Sequence, residues 1–255
     1  MNFIVTGNTD IGLTKTTNQD SLFLRVFNTQ QGKMVLAVMC DGMGGLQKGE
    51  VASASVIRAF EGWSRLSLPE LSKNPIADVD IRTQWGQIIT EQNNKIKKYG
   101  FSLGIRLGTT VTALLLTQTR YYVLNVGDSR AYEINDRINQ ITNDQTFVAR
   151  EVSLGRMTEE QAKHDERRSV LLQCVGASED VYPDLFFGDT QINAVYMLCC
   201  DGFVHEISSE EIFNNFRPER MIDENIMNNA SKELIALNKS RKEVDNITVA
   251  LIRTF

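Results

Sequence analysis

Short apolar runs recur along the chain and predict buried β-strands. The runs are rich in Val, Leu and Tyr and are too short for most helices, which is typical of strands that bury one or both faces. They occupy residues 34–40, 111–116, 121–126, 195–200 and 247–252. Their number predicts a fold with a substantial β-sheet core.

Other segments repeat apolar residues every three or four positions and predict amphipathic helices. These segments are residues 50–66, 81–99, 158–164, 209–216 and 218–237. Ser208 or Ser209 precedes Glu210 and Glu211, which predicts an N-cap followed by acidic first-turn residues at the fourth helix.

The order of these elements favours an α+β fold in which helices cover antiparallel sheets. Residues 111–116 and 121–126 form a predicted hairpin that continues into a strand at 130–134, whereas the helices come in pairs, so alternating βαβ units are disfavoured. Residues 67–75 hold two of the four prolines and are interpreted as a loop between helices. Because no repeat or low-complexity tract interrupts the chain, we predict a single domain over residues 1–255.

Composition excludes several classes of protein. A chain of 255 residues with 42% hydrophobic residues can bury a core, which argues against disorder. No apolar run approaches the roughly 18 residues of a membrane span, and the first residues lack the features of a secretory signal, so we expect a cytoplasmic protein. A net charge of −5 lacks the basic footprint of a nucleic-acid-binding protein.

The cysteines and histidines indicate neither disulfides nor zinc. The four cysteines lie in apolar segments without C-x-x-C spacing and are predicted to be reduced core residues. They are Cys40, Cys174, Cys199 and Cys200. Both histidines lie far from a usable cysteine pair, so we predict no zinc site.

Four aspartates stand at the ends of predicted strands. Asp41, Asp128 and Asp201 follow apolar runs, and Asp245 stands just before the last one. Turn chemistry alone explains any single one of them, but four strand ends on one scaffold favour a functional cluster. Clustered carboxylates repel one another unless protons or cations neutralise them. Because no His or Cys is expected nearby, the hypothesis is a binuclear Mg²⁺ or Mn²⁺ site.

Glycines surround the first of these aspartates in the stretch Asp41-Gly42-Met43-Gly44-Gly45. The missing Cβ of Gly42 would let its carbonyl approach an ion closely. Neither a following Gly-Lys-Ser/Thr nor the G-x-G-x-x-G spacing is present, so the stretch does not predict a nucleotide-binding loop. We interpret it as a sharp turn beside a metal ligand.

The ordered set of motifs resembles the metal-dependent protein serine/threonine phosphatases, the type 2C family, in its bacterial form. The motifs number eight, stand in family order and span roughly residues 6–252, which makes the resemblance highly specific. They are Asn18-Gln19-Asp20, Val38-Met39-Cys40-Asp41-Gly42-Met43-Gly44-Gly45, Gly108-Thr109-Thr110, Asn125-Val126-Gly127-Asp128-Ser129-Arg130-Ala131-Tyr132, Ile141-Thr142-Asn143-Asp144-Gln145, Gln173-Cys174-Val175-Gly176, Leu198-Cys199-Cys200-Asp201-Gly202-Phe203 and Asp245-Asn246-Ile247-Thr248-Val249.

The resemblance implies an α-β-β-α sandwich, with two central antiparallel sheets, helix pairs outside and metals at one end. By the same resemblance, Asp41 bridges two metal ions and Gly42 contributes its carbonyl. Asp201 and Asp245 complete the coordination of the first metal ion, and Asp20 supports the second ion, mainly through bound water.

By the same resemblance, Asp128 corresponds to the residue that binds a third, weaker metal ion in bacterial members. The implied reaction is direct attack of a metal-activated water on the phosphorus of a phosphoserine or phosphothreonine ester, without a covalent phosphoenzyme. Two divalent cations roughly 3.5–4 Å apart can both generate the nucleophile and hold the phosphate oxygens in line.

The chain departs from the usual family residues at several positions. Lys15 stands where most active members carry a phosphate-holding arginine, and lysine supplies the charge without the planar fork. An exposed lysine without a role is the alternative interpretation. Gln19 replaces a frequent glutamate, and Met43 replaces the candidate general-acid histidine of eukaryotic members. Gln145 replaces a more usual histidine, and Lys242-Glu243 replaces a glycine pair, but neither change removes a ligand.

Residues 149–168 correspond to the mobile flap beside the bacterial active site. Without the resemblance, the segment is typical of a solvated charged loop with a short helix. His164 within it is most simply a surface histidine, and a substrate-facing proton donor is the alternative. His205 is expected to be structural.

We therefore expect a Mn²⁺- or Mg²⁺-dependent phosphatase that acts on phosphorylated proteins and reverses a bacterial Ser/Thr kinase. Asp41, Asp201, Asp245 and Lys15 are its expected catalytic residues. The alternative hypothesis is a pseudophosphatase that binds phosphoproteins without hydrolysing them. A third hypothesis is an enzyme that hydrolyses a small phosphorylated metabolite. We expect a monomer, without nucleic-acid or membrane partners.

Overall fold

The computed structural model describes residues 1–43 and 48–255. Its strands are β1 (Phe3–Asp10), β2 (Ser21–Thr29), β3 (Gly32–Cys40), β4 (Val111–Leu116), β5 (Arg120–Val126), β6 (Arg130–Ile134), β7 (Ile138–Gln140), β8 (Asp184–Asp189), β9 (Val195–Cys199) and β10 (Ile247–Thr254). Its helices are α1 (Gly49–Leu66), α2 (Leu68–Leu71), α3 (Asp78–Leu103), α4 (Phe147–Ser153), α5 (Glu159–His164), α6 (Asp201–Val204), α7 (Ser209–Phe216) and α8 (Glu224–Ser240). Gly44 and Gly45 of the predicted turn lie outside the described residues.

Two five-stranded antiparallel sheets form the centre of the fold. Their strand orders are β1-β10-β9-β6-β7 and β2-β3-β4-β5-β8. In β3, Val35, Ala37 and Met39 join the cluster that the first sheet lines, whereas the alternate residues join the cluster under α1 and α3. This alternation follows from the two-residue period of a strand, and it buries both faces of β3.

Helices cover the outer faces of both sheets. Between α1 and α3, Trp85 packs edge-on against Phe60 and Trp63, with ring centroids 5.5 and 5.6 Å apart. On the other side, Phe216 of α7 and Leu234 of α8 belong to the cluster under the first sheet. The predicted α+β sandwich, with helices outside two antiparallel sheets, is confirmed.

Three predictions about the elements were wrong. The stretch 67–75, predicted as a loop between helices, contains the short helix α2 at Leu68–Leu71, which has Pro69 in its first turn. The helix predicted over 218–237 begins only at Glu224, because the Asp223 carboxylate accepts the Ile226 N–H at 2.8 Å and caps the helix there. The strand at 130–134 does not extend the hairpin of β4 and β5. It lies in the other sheet, beside β9.

The chain passes from one sheet to the other through Gly127, Asp128 and Ser129. Gly127 has a φ of +103°, and a Cβ there would lie 2.6 Å from the Thr110 side chain, so only glycine fits without strain. Gln145 holds this turn, since its Oε1 accepts the Gly127 N–H at 2.8 Å. The turn places Asp128 at the seam between the sheets.

Further expectations concern the cysteines and membrane spans. All four cysteines are buried and unpaired with one another, as predicted. Within the described part of the chain, no helix combines the length and apolarity that crossing a membrane requires.

Candidate metal centre

Asp41 directly follows β3, and two threonines fix its backbone. Its N–H donates to Thr110 Oγ1 at 3.0 Å. Its carbonyl accepts the Thr109 hydroxyl and the Thr110 N–H, each at 2.9 Å. These three bonds fix the backbone of Asp41 and therefore the direction of its Cα–Cβ bond. The sequence motif Gly108-Thr109-Thr110 carried no assigned role, and this contact supplies one.

Gly42 is required by a close approach of the backbone. A Cβ at this position would lie 2.5 Å from the carbonyl carbon of Gly49 and 2.6 Å from the carbonyl oxygen of Gln19. The Gly42 N–H also donates to that Gln19 oxygen at 3.1 Å. Packing therefore explains this glycine by itself, and a carbonyl ligand role for Gly42 remains a prediction.

Asp20 directly precedes β2 and is half-buried. Its Oδ2 accepts a hydrogen bond from the Thr248 hydroxyl, whereas its Oδ1 has no partner among the described residues. Burial raises the pKa of Asp20 to about 6, and the charge of Asp201 adds to the shift. A buried, unpartnered carboxylate oxygen is costly, so this atom points to a missing proton or cation.

Cys200 lies beside the two carboxylates and is the neighbour that sequence reasoning missed. Its Sγ, one Asp20 oxygen and one Asp41 oxygen all lie within 4.8 Å of one another. The thiol donates to the Asn246 carbonyl at 3.4 Å and accepts the Thr248 N–H at 3.1 Å. Burial raises the pKa of this thiol well above its ordinary value. The thiol therefore stays uncharged and lines the site without adding a negative charge. Its position next to Asp201 was the available signal.

Asp201 and Asp245 come from different loops that touch. Asp201 begins α6, and its Oδ1 accepts the Gly202 N–H at 2.6 Å. A Cβ on Gly202 would lie 2.2 Å from the Asn246 carbonyl oxygen and 3.4 Å from the Asp245 Cβ. Glycine at this position therefore permits the approach that brings the two aspartates together.

His205 and Glu243 connect these two loops behind the aspartates. His205 Nε2 lies 3.4 Å from Asp201 Oδ2, and Nδ1 lies 3.1 Å from Glu243 Oε2. Glu243 Oε1 accepts the N–H groups of Val244 and Asp245, each at 2.8 Å. Burial opposes the charged imidazole, but Glu243 and Asp201 outweigh it and raise the pKa of His205 to about 9. His205 therefore contacts a carboxylate on each side, with Glu243 as the nearer partner, and its structural role stays a prediction.

Asp128 is buried at the seam between the sheets. Burial raises its pKa well above the ordinary value, and the charges of Asp201 and Asp144 add to the effect. Arg130 neutralises Asp144 through a forked pair, with Nε to Oδ1 at 2.8 Å and Nη2 to Oδ2 at 2.6 Å. Asp128 itself forms no ion pair among the described residues.

The five predicted aspartates form one electrostatic cluster. Burial raises the pKa of Asp41 well above its ordinary value, and four neighbouring carboxylates raise it further. These neighbours are Asp20, Asp201, Asp128 and Asp245. Oxygen donors around a neutral thiol suit hard divalent cations such as Mg²⁺ and Mn²⁺. The unpartnered oxygen of Asp20 and the mutual repulsion both fit such ions.

Lys15 also lies in this cluster. Its Nζ is 2.8 Å from Asp245 Oδ1. Burial disfavours the charged ammonium, but the hydrogen bond to Asp245 and the charges of Asp41 and Asp201 outweigh it and raise the pKa of Lys15. The lysine in the expected phosphate-holding position is therefore a firmly charged group that contacts one of the aspartates.

His164 makes its contacts within its own helix. It ends α5, its side chain is 76% exposed, and its Nδ1 lies 3.0 Å from the Glu160 carbonyl oxygen. The expected flap consists of α4 and α5, and Arg167 stacks over the Phe147 ring at 4.3 Å. Among the described residues, no contact joins His164 to the aspartates.

Comparisons with known proteins identify the family of this chain. A sequence model described as protein phosphatase 2C matches residues 13–234. The serine/threonine phosphatase stp of Listeria innocua is 29% identical over 224 residues, which cover 86% of this chain and 84% of that protein.

Solved structures extend the likeness to three dimensions. The crystal structure of the serine/threonine phosphatase Stp1 from Staphylococcus aureus is 28% identical, with a TM-score of 0.84 over 98% of this chain and 94% of that one. The catalytic domain of the serine/threonine protein phosphatase PstP, in complex with two manganese ions, is 28% identical, with a TM-score of 0.77 over 99% of both chains. The resemblance found in the motifs is confirmed, and the chain belongs to the protein phosphatase 2C family.

Proposed function

We propose that this protein is a metal-dependent protein serine/threonine phosphatase. The observation that carries the proposal is the convergence of five buried or half-buried aspartates, with one unpartnered carboxylate oxygen, in a chain of this family. The relative PstP binds two manganese ions in its crystal structure, which supports Mn²⁺ or Mg²⁺ as the cofactor here.

The family pattern assigns a different role to each aspartate. Asp41 would bridge two cations with the Gly42 carbonyl as a further ligand, Asp201 and Asp245 would complete the first cation, and Asp20 would support the second. When bound, such cations lower the pKa of a water molecule and neutralise phosphate oxygens.

Asp128 would hold a third, weaker cation. It is buried at the seam between the two sheets, where its raised pKa makes an uncompensated charge costly.

Lys15 would bind the substrate phosphate. Its ammonium lies within the field of three aspartates, at the edge where an anionic group can replace Asp245 as its partner. A lysine offers a point charge rather than a planar fork, so the phosphate is held by charge more than by direction. Met43 cannot donate a proton, so protonation of the leaving group would come from metal-bound water or from another group of the site.

The substrates would be phosphorylated proteins, and the enzyme would oppose a bacterial Ser/Thr kinase in the cytoplasm. Names of the relatives as serine/threonine phosphatases support this class of substrate. We further propose that residues 1–255 act as one domain and as a monomer.

Turnover tests the proposal directly. The purified protein should hydrolyse p-nitrophenyl phosphate and phosphothreonine peptides when millimolar Mn²⁺ is present. Asp41→Asn and Asp201→Asn should each lower kcat by about 10²-fold or more, because each removes one charge from the predicted metal cage while keeping its shape. Circular dichroism and thermal unfolding of each variant control for misfolding. Wild-type rates in either variant would refute its assigned role.

The contact between Lys15 and Asp245 favours one rival, a pseudophosphatase that binds phosphoproteins without hydrolysing them. Manganese titration by calorimetry separates the two functions. Manganese binding together with turnover supports the phosphatase, whereas binding of manganese and phosphopeptide without turnover supports the rival.

A further inference from the structure

A groove lies at the carboxyl end of α3, outside the metal centre. It encloses about 920 Å³, and its wall combines the last turns of α3 with residues 105–107 and 176–177. Leu107 is 1% exposed, and Ile105 is half-buried beside it in the wall. Phe101 is 89% exposed. An aromatic ring left in water beside an apolar wall is typical of a surface that a partner covers.

Four cationic residues line this groove, and none of its lining residues in the described part of the chain is acidic. They are Lys95, Lys97, Lys98 and Arg106. Within residues 1–43 and 48–255, none of the four forms a salt bridge. Lys97 and Arg106 contact only backbone carbonyls, those of Glu179 at 2.9 Å and Ala177 at 3.2 Å. In a chain of net charge −5, this is a local field of the opposite sign.

Two parts of the groove wall connect to Thr109 and Thr110, the threonine pair that holds Asp41. Leu107 in its wall precedes Thr110 by three residues, so their Cα atoms are at most about 11 Å apart. Thr110 contacts the backbone of Asp41 directly. On the other wall, the Val175 N–H donates to the Thr109 carbonyl at 3.0 Å, which joins the loop of Gly176 and Ala177 to the same threonine pair.

We propose that this groove binds an acidic segment of the protein substrate that carries an apolar side chain and lies outside the phosphorylated residue itself. The proposal rests on the proposed function. The lysines complement the acidic side chains, and the wall of Ile105 and Leu107 beside Phe101 receives the apolar one. A nucleic acid would leave this apolar wall unmatched.

Binding of an unphosphorylated probe tests the groove without requiring catalysis. The probe is a fluorescein-labelled peptide of Glu, Asp and Leu, followed by fluorescence anisotropy. The doubly substituted protein Lys95→Glu/Lys98→Glu should bind it about tenfold more weakly, because reversal replaces two attractions with repulsions. Phe101→Ser should also weaken binding.

The matched control is Lys33→Glu/Arg137→Glu, which makes the same change in net charge. Both residues are exposed, and they lie by the β2–β3 and β6–β7 turns, at the end of each strand pair away from the aspartates. The control should keep the affinity of the wild type. Equal affinity of the two double variants, or competition by single-stranded DNA but not by polyglutamate, would overturn the proposal.

Kinetics separates the groove from the reaction. Phosphothreonine peptides should have a lower KM when an acidic-apolar segment lies on one side of the phosphorylated residue, and Lys95→Glu/Lys98→Glu should abolish that preference. Hydrolysis of p-nitrophenyl phosphate should be unchanged in this variant, because that substrate cannot reach the groove. If the wild-type protein did not hydrolyse p-nitrophenyl phosphate, the proposed function would be refuted. If Lys95→Glu/Lys98→Glu kept the wild-type peptide preference, only the proposed role of the groove would be refuted.

Discussion

At Glu243, one carboxylate serves two loops. Its Oε1 fixes the backbone before Asp245, and its Oε2 holds the imidazole that faces Asp201. Groups that orient metal ligands from behind contribute strongly to metal affinity. The pair of His205 and Glu243 therefore sets the relative position of two predicted ligands without touching the substrate.

Glu243→Gln should weaken Mn²⁺ binding about tenfold, because the amide cannot balance the charged imidazole beside Asp201. Calorimetric titration with Mn²⁺ measures this, and the thermal midpoint of the metal-free protein reports any general loss of stability. Glu133→Gln is the control, since Glu133 contacts Asn135 and Tyr196 instead. Equal Mn²⁺ affinity in the two variants would contradict the positioning role.

Sequence reasoning identified the aspartates but not what holds them. Asp41 and Asp201 follow apolar runs and are visible in a single sequence. The contact of Thr110 with Asp41 joins residues 69 positions apart, and that of Glu243 with His205 joins residues 38 apart. Nothing local in the sequence encodes such contacts, because they depend on how the sheets pack.

At the scale of elements, two helices share one start signal but differ in burial. Ser208 and Thr158 each form a capping box, with the side chain accepting the N–H three residues on. The helix that Ser208 caps, α7, buries Ile212 and Phe216, whereas α5 buries no residue. The same local bond therefore has different consequences for the fold.

Ser208→Ala should lower the free energy of unfolding by about 1 kcal/mol, the usual cost of a lost N-cap. Thr158→Ala should leave global stability nearly unchanged, because α5 can fray without exposing the core. Urea unfolding followed by tryptophan fluorescence measures both. A comparable loss in both variants would show that α5 unfolds together with the rest of the chain.

Central elements were predictable from the sequence and edge elements were not. β3, β4 and β10 are buried nearly throughout, so their apolar runs are continuous. β1 and β2 lie at the edges of the two sheets and are mostly half-buried, so polar residues interrupt their runs. The start of α8 was misplaced because Asp223 ends the turn before it, although the apolar spacing continues upstream.

At the scale of the whole molecule, the predicted ligands come from both sheets. Asp20 and Asp41 flank β2 and β3 of one sheet, whereas Asp201 and Asp245 flank β9 and β10 of the other. Packing of the sheets against each other therefore forces these carboxylates together. In the metal-free protein, burial raises the pKa of Asp41 and Asp128, and raises that of Asp20 to about 6.

Mn²⁺ should stabilise the protein more at pH 8 than at pH 5.5. A raised carboxyl pKa stabilises the metal-free fold below the unfolded value of about 3.9, and this contribution is lost as pH rises through the folded pKa. At pH 8 the metal-free cluster carries more repelling charge, and Mn²⁺ competes with fewer protons. Thermal unfolding with and without Mn²⁺ at both pH values measures the difference.

Asp41→Asn serves as the control for this pH effect, because it removes the carboxylate whose pKa the four other aspartates raise. Its Mn²⁺-dependent rise in Tm should be small at both pH values. An equal rise at pH 5.5 and pH 8 in the wild type would contradict the proton competition.

The turn at Gly127, Asp128 and Ser129 carries the chain from one sheet to the other, so it links the two sheets beside the aspartates. The carboxylates beside this turn repel one another across the two sheets. A cation bound among them would hold the sheets together at this end. Amide hydrogen exchange at the ends of β3 and β9 would then slow together on loading. The concentration of divalent metal would then set how firmly the two sheets are held together at this end, as well as the rate of the proposed reaction.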